Sequence, residues 1–394
     1  MKSLLRTWLA AALAAWLLPL AACTRSFQPP TAFAYVSNGG SNTVSVIDLG
    51  ALKIAKTIAV GENPTGIAAN PRRNEIYVVN SDSNNVSFID AEKNAVVATV
   101  GVHRAPYFIS VSADGERAYV ANSGSANVSV IDLPARKVIA NIPVGGAPGL
   151  ARVSPDGRTV VVANRADNSV TLLDAKALRP RATLAVCRQP EDIAILPDDT
   201  QAFVACSGSG QVAAIDLGAA KLLALLDVGA TPIHLALKPD GGEMFVSNFD
   251  SSNVSVIETS SDEVSGTYTI GTKPVRGLVS ADNSVLYESN FAADSVSIFS
   301  INDSRLLAVV PVGRGPDALA LTPGEEFLLA VNAQSGDVAV VRLVRMPRGN
   351  KISTAQAILN GLRGEPNPSK PQALFTLITV GARPNAIVVK QVPR

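Results

Sequence analysis

A repeat is the strongest constraint on what this chain can fold into. The motifs at 35–38 (YVSN), 77–80 (YVVN), 119–122 (YVAN), 161–164 (VVAN), 203–206 (FVAC), 245–248 (FVSN), 287–290 (YESN) and 329–332 (LAVN) end 42 positions apart without a slip. A second landmark keeps the same step: Pro64, Pro106, Pro148, Pro190, Pro232, Pro274 and Pro316. Its eighth copy, Pro384, is displaced by a 26-residue insertion. A period of this size signals an array of supersecondary units before any other architecture.

Each unit reads as four short strands. In 147–186 an apolar run ends in the turn SPDG (154–157), then come VVVAN, a polar loop, VTLLD and a last run, ATLAV. Strands of this length, bounded by Gly, Pro, Asn and Asp, fit four-stranded antiparallel blades around a channel. The competing array is a solenoid, but the ends argue for a closed ring. The chain enters at the second strand of a unit (34–38) and finishes with a lone first strand (385–389), which can complete the first blade. The expectation is an all-β, eight-bladed β-propeller over 34–394. Length alone would allow two or three domains, and the repeat overrules that.

These motifs resemble the YVTN-type β-propeller repeat family over 34–345 and 371–391, although no copy spells YVTN. The resemblance implies a bacterial or archaeal surface or periplasmic protein, and makes seven the alternative blade count. Related propellers include lactonases and cytochrome-type haem proteins, so it implies little about function.

The first residues have the three parts of a secretory signal: basic Lys2 and Arg6, an apolar run from Trp8, and small residues leading to Cys23. Leu20-Ala21-Ala22-Cys23 resembles the bacterial lipobox, which implies cleavage after residue 22, lipidation of Cys23 and a linker over 23–33. Acyl chains would anchor the chain without a spanning helix. Thr24 follows the cysteine where aspartate would imply inner-membrane retention, so the expected address is the outer membrane, facing the periplasm or the cell surface. Losing the signal leaves 32 basic residues against 33 acidic and removes both tryptophans. With no basic excess or block of like charge, nucleic acid is not an expected partner.

Eight internal copies allow a comparison within one chain. Residues the scaffold needs recur; residues serving a site need appear only once. The recurring Asn is read as structural, its side chain bonding backbone in the following turn. The residue two after the landmark proline is expected near the channel mouth. Around the ring it is Gly66, Phe108, Leu150, Asp192, His234, Arg276, Ala318 and Ala386. Three consecutive units thus supply Asp192, His234 and Arg276 where the others are apolar or glycine. Arg188, Glu191, Arg314 and Asp317 lie close in register, and Phe249 and Phe291 can add apolar walls. Polar groups converging in a concave mouth are the default site expectation; the alternative is a solvated rim whose charges pair with one another.

Enzyme signatures are sparse. The two histidines, His103 and His234, fall three units apart, so they are not expected to share a metal ion. Asp192 and Glu191 leave calcium open, without a complete ligand set. There is no Gly-x-Ser-x-Gly elbow and no Cys-x-x-Cys-His; haem ligation by either histidine stays open. The expectation is a non-enzymatic binding scaffold for an envelope protein or small ligand, with membrane contact only through the lipid. The alternative is a lactonase-like or metal-assisted hydrolase using the Asp192/His234/Arg276 sector. The insertion at 346–371 carries STAQAILNGLR (353–363), which reads as a short amphipathic helix.

Two of the three cysteines sit in one unit. Cys187 takes the place of the glycine found three before most landmark prolines, and Cys206 replaces the motif asparagine. The hairpin between them folds both toward one face. In an exported protein they are expected to form a disulfide.

Overall fold

A computed structural model describes residues 31–343 and 373–392. The signal segment, Cys23 and the 346–371 insertion with its expected helix lie outside the described residues. Everything described is strand, turn or loop: eight four-stranded antiparallel sheets form an eight-bladed β-propeller. The count of eight holds, and seven does not.

Blade 1 contains β1 (Thr31–Asn38), β2 (Thr43–Asp48) and β3 (Lys53–Ala59), and its innermost strand is the last in the chain, β32 (Pro384–Val392). The pair runs antiparallel from Thr31↔Val392 to Ser37↔Ala386. Both strands are longer than the sequence suggests, since Thr31 to Phe33 and Lys390 to Val392 also pair. The ring is therefore closed by backbone hydrogen bonds between the chain's ends, with no open end blade. The innermost strands of blades 2 to 8 are β4 (Pro64–Ala69), β8 (Pro106–Val111), β12 (Pro148–Val153), β16 (Pro190–Ile195), β20 (Pro232–Leu237), β24 (Pro274–Val279) and β28 (Pro316–Leu321).

Burial explains the sequence pattern of each blade. The second strand of blade 4, β13 (Thr159–Asn164), is buried at every position, because neighbouring blades cover both faces. The outermost strand, β15 (Arg179–Ala185), has no buried position. Cores lie between blades: Val161 and Ala163 of blade 4 pack with Val204 and Ile215 of blade 5. Across the closure, Ala34 and Val36 pack with Leu329 and Val331.

The motif asparagine is structural, but not through backbone. Asn80 donates from Nδ2 to Asn85 Oδ1 (2.7 Å) and Ser87 Oγ (2.9 Å), and Asn164 donates to Ser169 and Thr171. These partners are side chains on the next strand, because antiparallel pairing brings positions five and seven residues on beside the asparagine. The recurring glycine is the other half of the contact. A Cβ at Gly61 or Gly145 would fall 2.7 Å from the side chain of Asn80 or Asn164. Blade 5 replaces both halves together: Cys187 and Cys206 form a disulfide with a Cα–Cα distance of 5.6 Å. The register places Pro190 opposite Cys206, with Glu191 bulged out, so the two sulfurs meet one step from the position expected. Position 213, where a hydroxyl would receive the asparagine, is alanine in this blade.

Candidate functional site

Two sets of loops share one face of the ring: those before the innermost strands and those between second and third strands. Ser207 N–H donates to Gln189 O, and Ser81 N–H to Asn63 O. The turns between first and second strands, such as Pro155, lie at the other end. A cavity of about 710 Å³ runs along the channel from Arg152, His234 and Arg276 to the turn residues Pro71, Ala113 and Pro155. His234 and Arg276 thus line the channel wall, and Asp192 is buried beside them without lining the cavity. Asp192 is 6% exposed and the His234 side chain 12%. Their strands run inward from the loops, so a residue two past the proline is already covered by the next blade.

Each blade's innermost strand is a sheet edge with unpaired N–H groups facing its neighbour. Asp192 Oδ2 accepts Leu235 N–H of blade 6 at 3.0 Å, and His234 Nδ1 accepts Gly277 N–H of blade 7 at 3.3 Å. Ser110 Oγ does the same for Val153 N–H. These side chains stitch blade to blade along the channel. Asp192 also faces Arg152 Nη2 at 3.5 Å and His234 Nε2 at 3.7 Å.

The electrostatics follow from this placement. Burial foremost, then the Arg276 charge, pushes His234 down to about 3, and Asp192 offsets only part of that. Its Nδ1 accepts an N–H, so the neutral ring carries its proton on Nε2, toward Asp192. Burial alone would raise Asp192; the surrounding positive charges and the Leu235 N–H outweigh it and hold the carboxyl below its usual range. With Nδ1 accepting the Gly277 N–H and the proton on Nε2, His234 has no free lone pair for a substrate proton.

Two residues complete the arc that the sequence comparison left out. Arg152 is four past its proline, a position otherwise held by small or apolar residues, and its guanidinium lies 5.8 Å from the Phe108 ring centroid. Glu288, in the YESN motif, is fully buried. Ser247 Oγ–H donates to its Oε1 at 2.7 Å, and its Oε2 has no partner. Burial pushes this carboxyl up to about 8, against the Ser247 bond and the Arg276 charge. Burial likewise raises Asp317, against Arg276. The signal for Arg152 and Glu288 was the internal comparison itself: each is the one charged residue at its position in eight copies.

The other expected residues sit on the loop face, apart from this cluster. Glu191 pairs with Arg165 and accepts Ser207 Oγ–H at 3.2 Å, and Arg165 lies 5.2 Å over Tyr107. Arg188 is exposed beside the disulfide. Phe249 and Phe291 have ring centroids 6.5 Å apart, with Lys273 Nζ 4.4 Å over Phe249, and do not line the cavity. His103 is exposed, its Nδ1 2.6 Å from Asn127 Nδ2. Among the described residues, no three His, Cys, Asp or Glu side chains cluster as metal ligands.

Comparison with known proteins agrees with this architecture. Residues 69–198 match the cytochrome D1 heme domain, and 278–347 match the lactonase 7-bladed beta-propeller. No curated protein matches the chain. Among solved structures, hydrazine synthase of Kuenenia stuttgartiensis is 24% identical, with a TM-score of 0.58 over 71% of this chain and 96% of that one. Dihydro-heme d1 dehydrogenase NirN, in complex with DHE, is 15% identical, with a TM-score of 0.71 over 90% of this chain and 74% of that one. At these identities the likeness is one of fold, and with the two family matches it sets the chain among the β-propeller proteins.

Proposed function

We propose that the protein is an exported binding protein that takes a small molecule into its channel and does no chemistry on it. Its finer affiliation would be the YVTN-type repeat proteins, and Cys23 would tether it by lipid to the outer membrane of a bacterial envelope. The carrying observation is the state of the polar groups in and beside the cavity. Asp192 and His234 are consumed by inter-blade hydrogen bonds, while Arg152 and Arg276 line the cavity and each keeps a buried Nε without a partner. A volume of about 710 Å³ falls in the range of small-molecule sites.

The match to a cytochrome d1 domain invites a haem, but the residues present do not fit histidine ligation. The His234 Nδ1 accepts the Gly277 N–H, which leaves the proton on Nε2 and no free lone pair, and His103 lies exposed on the loop face. Calcium fares no better: Glu191 is paired with Arg165, and Asp192 with Arg152 and the Leu235 N–H. The hydrolase reading draws on the lactonase match over blades 7 and 8, and lacks a free base at His234.

Protein extracted from its native envelope should carry a stoichiometric small molecule by native mass spectrometry, and should be silent toward a panel of lactones and esters. The bound molecule should raise the Tm, and Ala113→Trp, at the turn lining the cavity, should suppress that rise. Turnover lost in His234→Ala would overturn the binding reading in favour of the hydrolase.

A further inference from the structure

On the reading of the channel as a small-molecule site, the two wall arginines differ in a way that points to the chemistry of the ligand. Arg152 is offset by Asp192 at 3.5 Å. Arg276 has no such direct pair. Its backbone is fixed by Ser289, whose Oγ accepts Arg276 N–H at 3.1 Å, but among the described residues its guanidinium enters no ion pair and its Nε lies buried without a partner. Glu288, the acid behind it, has one oxygen occupied by Ser247 and is fully shut off from solvent. Burial pushes Glu288 up to about 8, so it supplies no full counter-charge at neutral pH, and Asp317, also raised by burial, makes no ion pair with Arg276 among the described residues. A partly buried cation without a partner costs free energy, and that cost is relieved by an anion entering the channel.

The remaining wall gives the ligand its body. Ile193, Leu235, Leu278 and Leu319 line the same cavity. A small hydrated anion would leave that surface wet, whereas an organic molecule would cover it and gain about 25 cal/mol per Å² buried. A guanidinium presents its donors in a planar fork matched to a carboxylate.

We propose that the channel binds an organic carboxylate with an apolar body, its carboxylate held by Arg276 and its body against the Leu235, Leu278 and Leu319 wall. This rests on the channel being a small-molecule site, and the experiment separates the two. Full-length protein, freed of its native ligand by dialysis against mild denaturant and refolded, is titrated with 1-pyrenebutyrate, with its primary amide and with inorganic phosphate. Anisotropy follows the two fluorescent probes, and calorimetry follows phosphate. The acid should bind at least tenfold tighter than the amide, and phosphate at least a hundredfold more weakly than the acid. Arg276→Gln should weaken the acid to the level of the amide and leave the amide unchanged; Arg276→Lys should fall between.

The acid-to-amide ratio is read on unmodified protein and survives any folding defect in the variants. Equal binding of acid and amide, or acid binding untouched by Arg276→Gln, would overturn the carboxylate assignment while leaving a channel site intact. Phosphate binding as tightly as the acid would overturn the apolar body. Failure of both pyrene probes to bind would overturn the proposal as a whole, whereas the reading beneath it stands or falls on the co-purified molecule.

Discussion

The inner strands of blades 8, 1 and 2 carry Ala318, Ala386 and Gly66 at the second position past the proline; those of blades 5, 6 and 7 carry Asp192, His234 and Arg276. The backbone is the same in both arcs. Ala318 faces Val331 and Gly66 faces Val79, just as Asp192 faces Ala205 and Arg276 faces Ser289. In the plain arc the position is filled by packing: a Cβ at Gly66 would fall 2.9 Å from the Tyr107 carbonyl oxygen. In the polar arc Asp192 and His234 fill it with hydrogen bonds to the next blade, and Arg276 turns its guanidinium to the cavity. The ring is held by its middle strands and their recurring residues, so the innermost strand is free to change chemistry over part of the circle without disturbing the fold.

The largest expected effect comes from the residue that carries polar chemistry deepest into the scaffold. Glu288 is raised from 4.5 to about 8, so the folded state holds a proton that the unfolded state releases between those values. Stability therefore falls as pH rises from about 4.5 to 8. By linkage the total is about 5 kcal/mol. The groups facing it are Arg276, which favours its ionised form, and Ser247, which donates to it. His234, lowered from 6.5 to about 3, works in the opposite sense: its stability is present above 6.5 and lost as pH falls toward 3. Of these two groups, only Glu288 changes stability above 6.5. Glu288→Gln should keep the Ser247 bond and flatten the fall, raising urea stability at pH 8.5 by a few kcal/mol. An unchanged slope between pH 6.5 and 8.5 would mean that the carboxyl ionises freely.

A second test exchanges the disulfide for the pair that the other blades use. Opening Cys187–Cys206, which are 19 apart in sequence, should cost roughly 3 kcal/mol in the chain-entropy account. Cys187→Gly with Cys206→Asn and Ala213→Ser rebuilds the glycine–asparagine–hydroxyl contact of Gly145, Asn164 and Thr171. It should recover about 1 kcal/mol of that loss, the worth of a buried hydrogen bond. Chemical denaturation of the double-serine and the triple variant gives both numbers, and equal midpoints would deny that the two devices do the same work.

Most of the fold was legible because a repeat tests itself: eight copies of one register identify the strands, the closure and the scaffold asparagine. The partner of that asparagine was not, since the side chains at Asn85 and Ser87 reach Asn80 only once β5 (Glu75–Asn80) and β6 (Asn85–Asp90) pair. The cysteine pair was legible because both departures fall in one unit and one hairpin joins them. Depth was not. Asp192 and His234 looked like mouth residues because they follow a loop, and only the lateral approach of the next blade, 43 positions on, buries them. Arg152 and Glu288 were visible as single departures among eight copies, but lay at positions read as scaffold.

The smallest expected effect isolates the stitch between blades. Asp192→Asn keeps an oxygen to accept the Leu235 N–H and removes the charge opposite Arg152. The loss should be about 1–2 kcal/mol, kept to the low end because Arg152 is partly solvated and screened. His234 does not add to it: removing a negative neighbour favours the neutral ring it already has. Asp192→Ala also removes the acceptor, leaving the Leu235 N–H buried and unpaired, and should cost about 1–3 kcal/mol more. Hydrogen exchange reads the difference directly. The Leu235 amide should stay protected in the Asn variant and exchange faster in the Ala variant, while amides of the plain arc, such as Ile67 in blade 2, remain as they were. Equal protection at Leu235 in both variants would mean that the innermost strand needs no acceptor from its neighbour, and that Asp192 serves Arg152 alone.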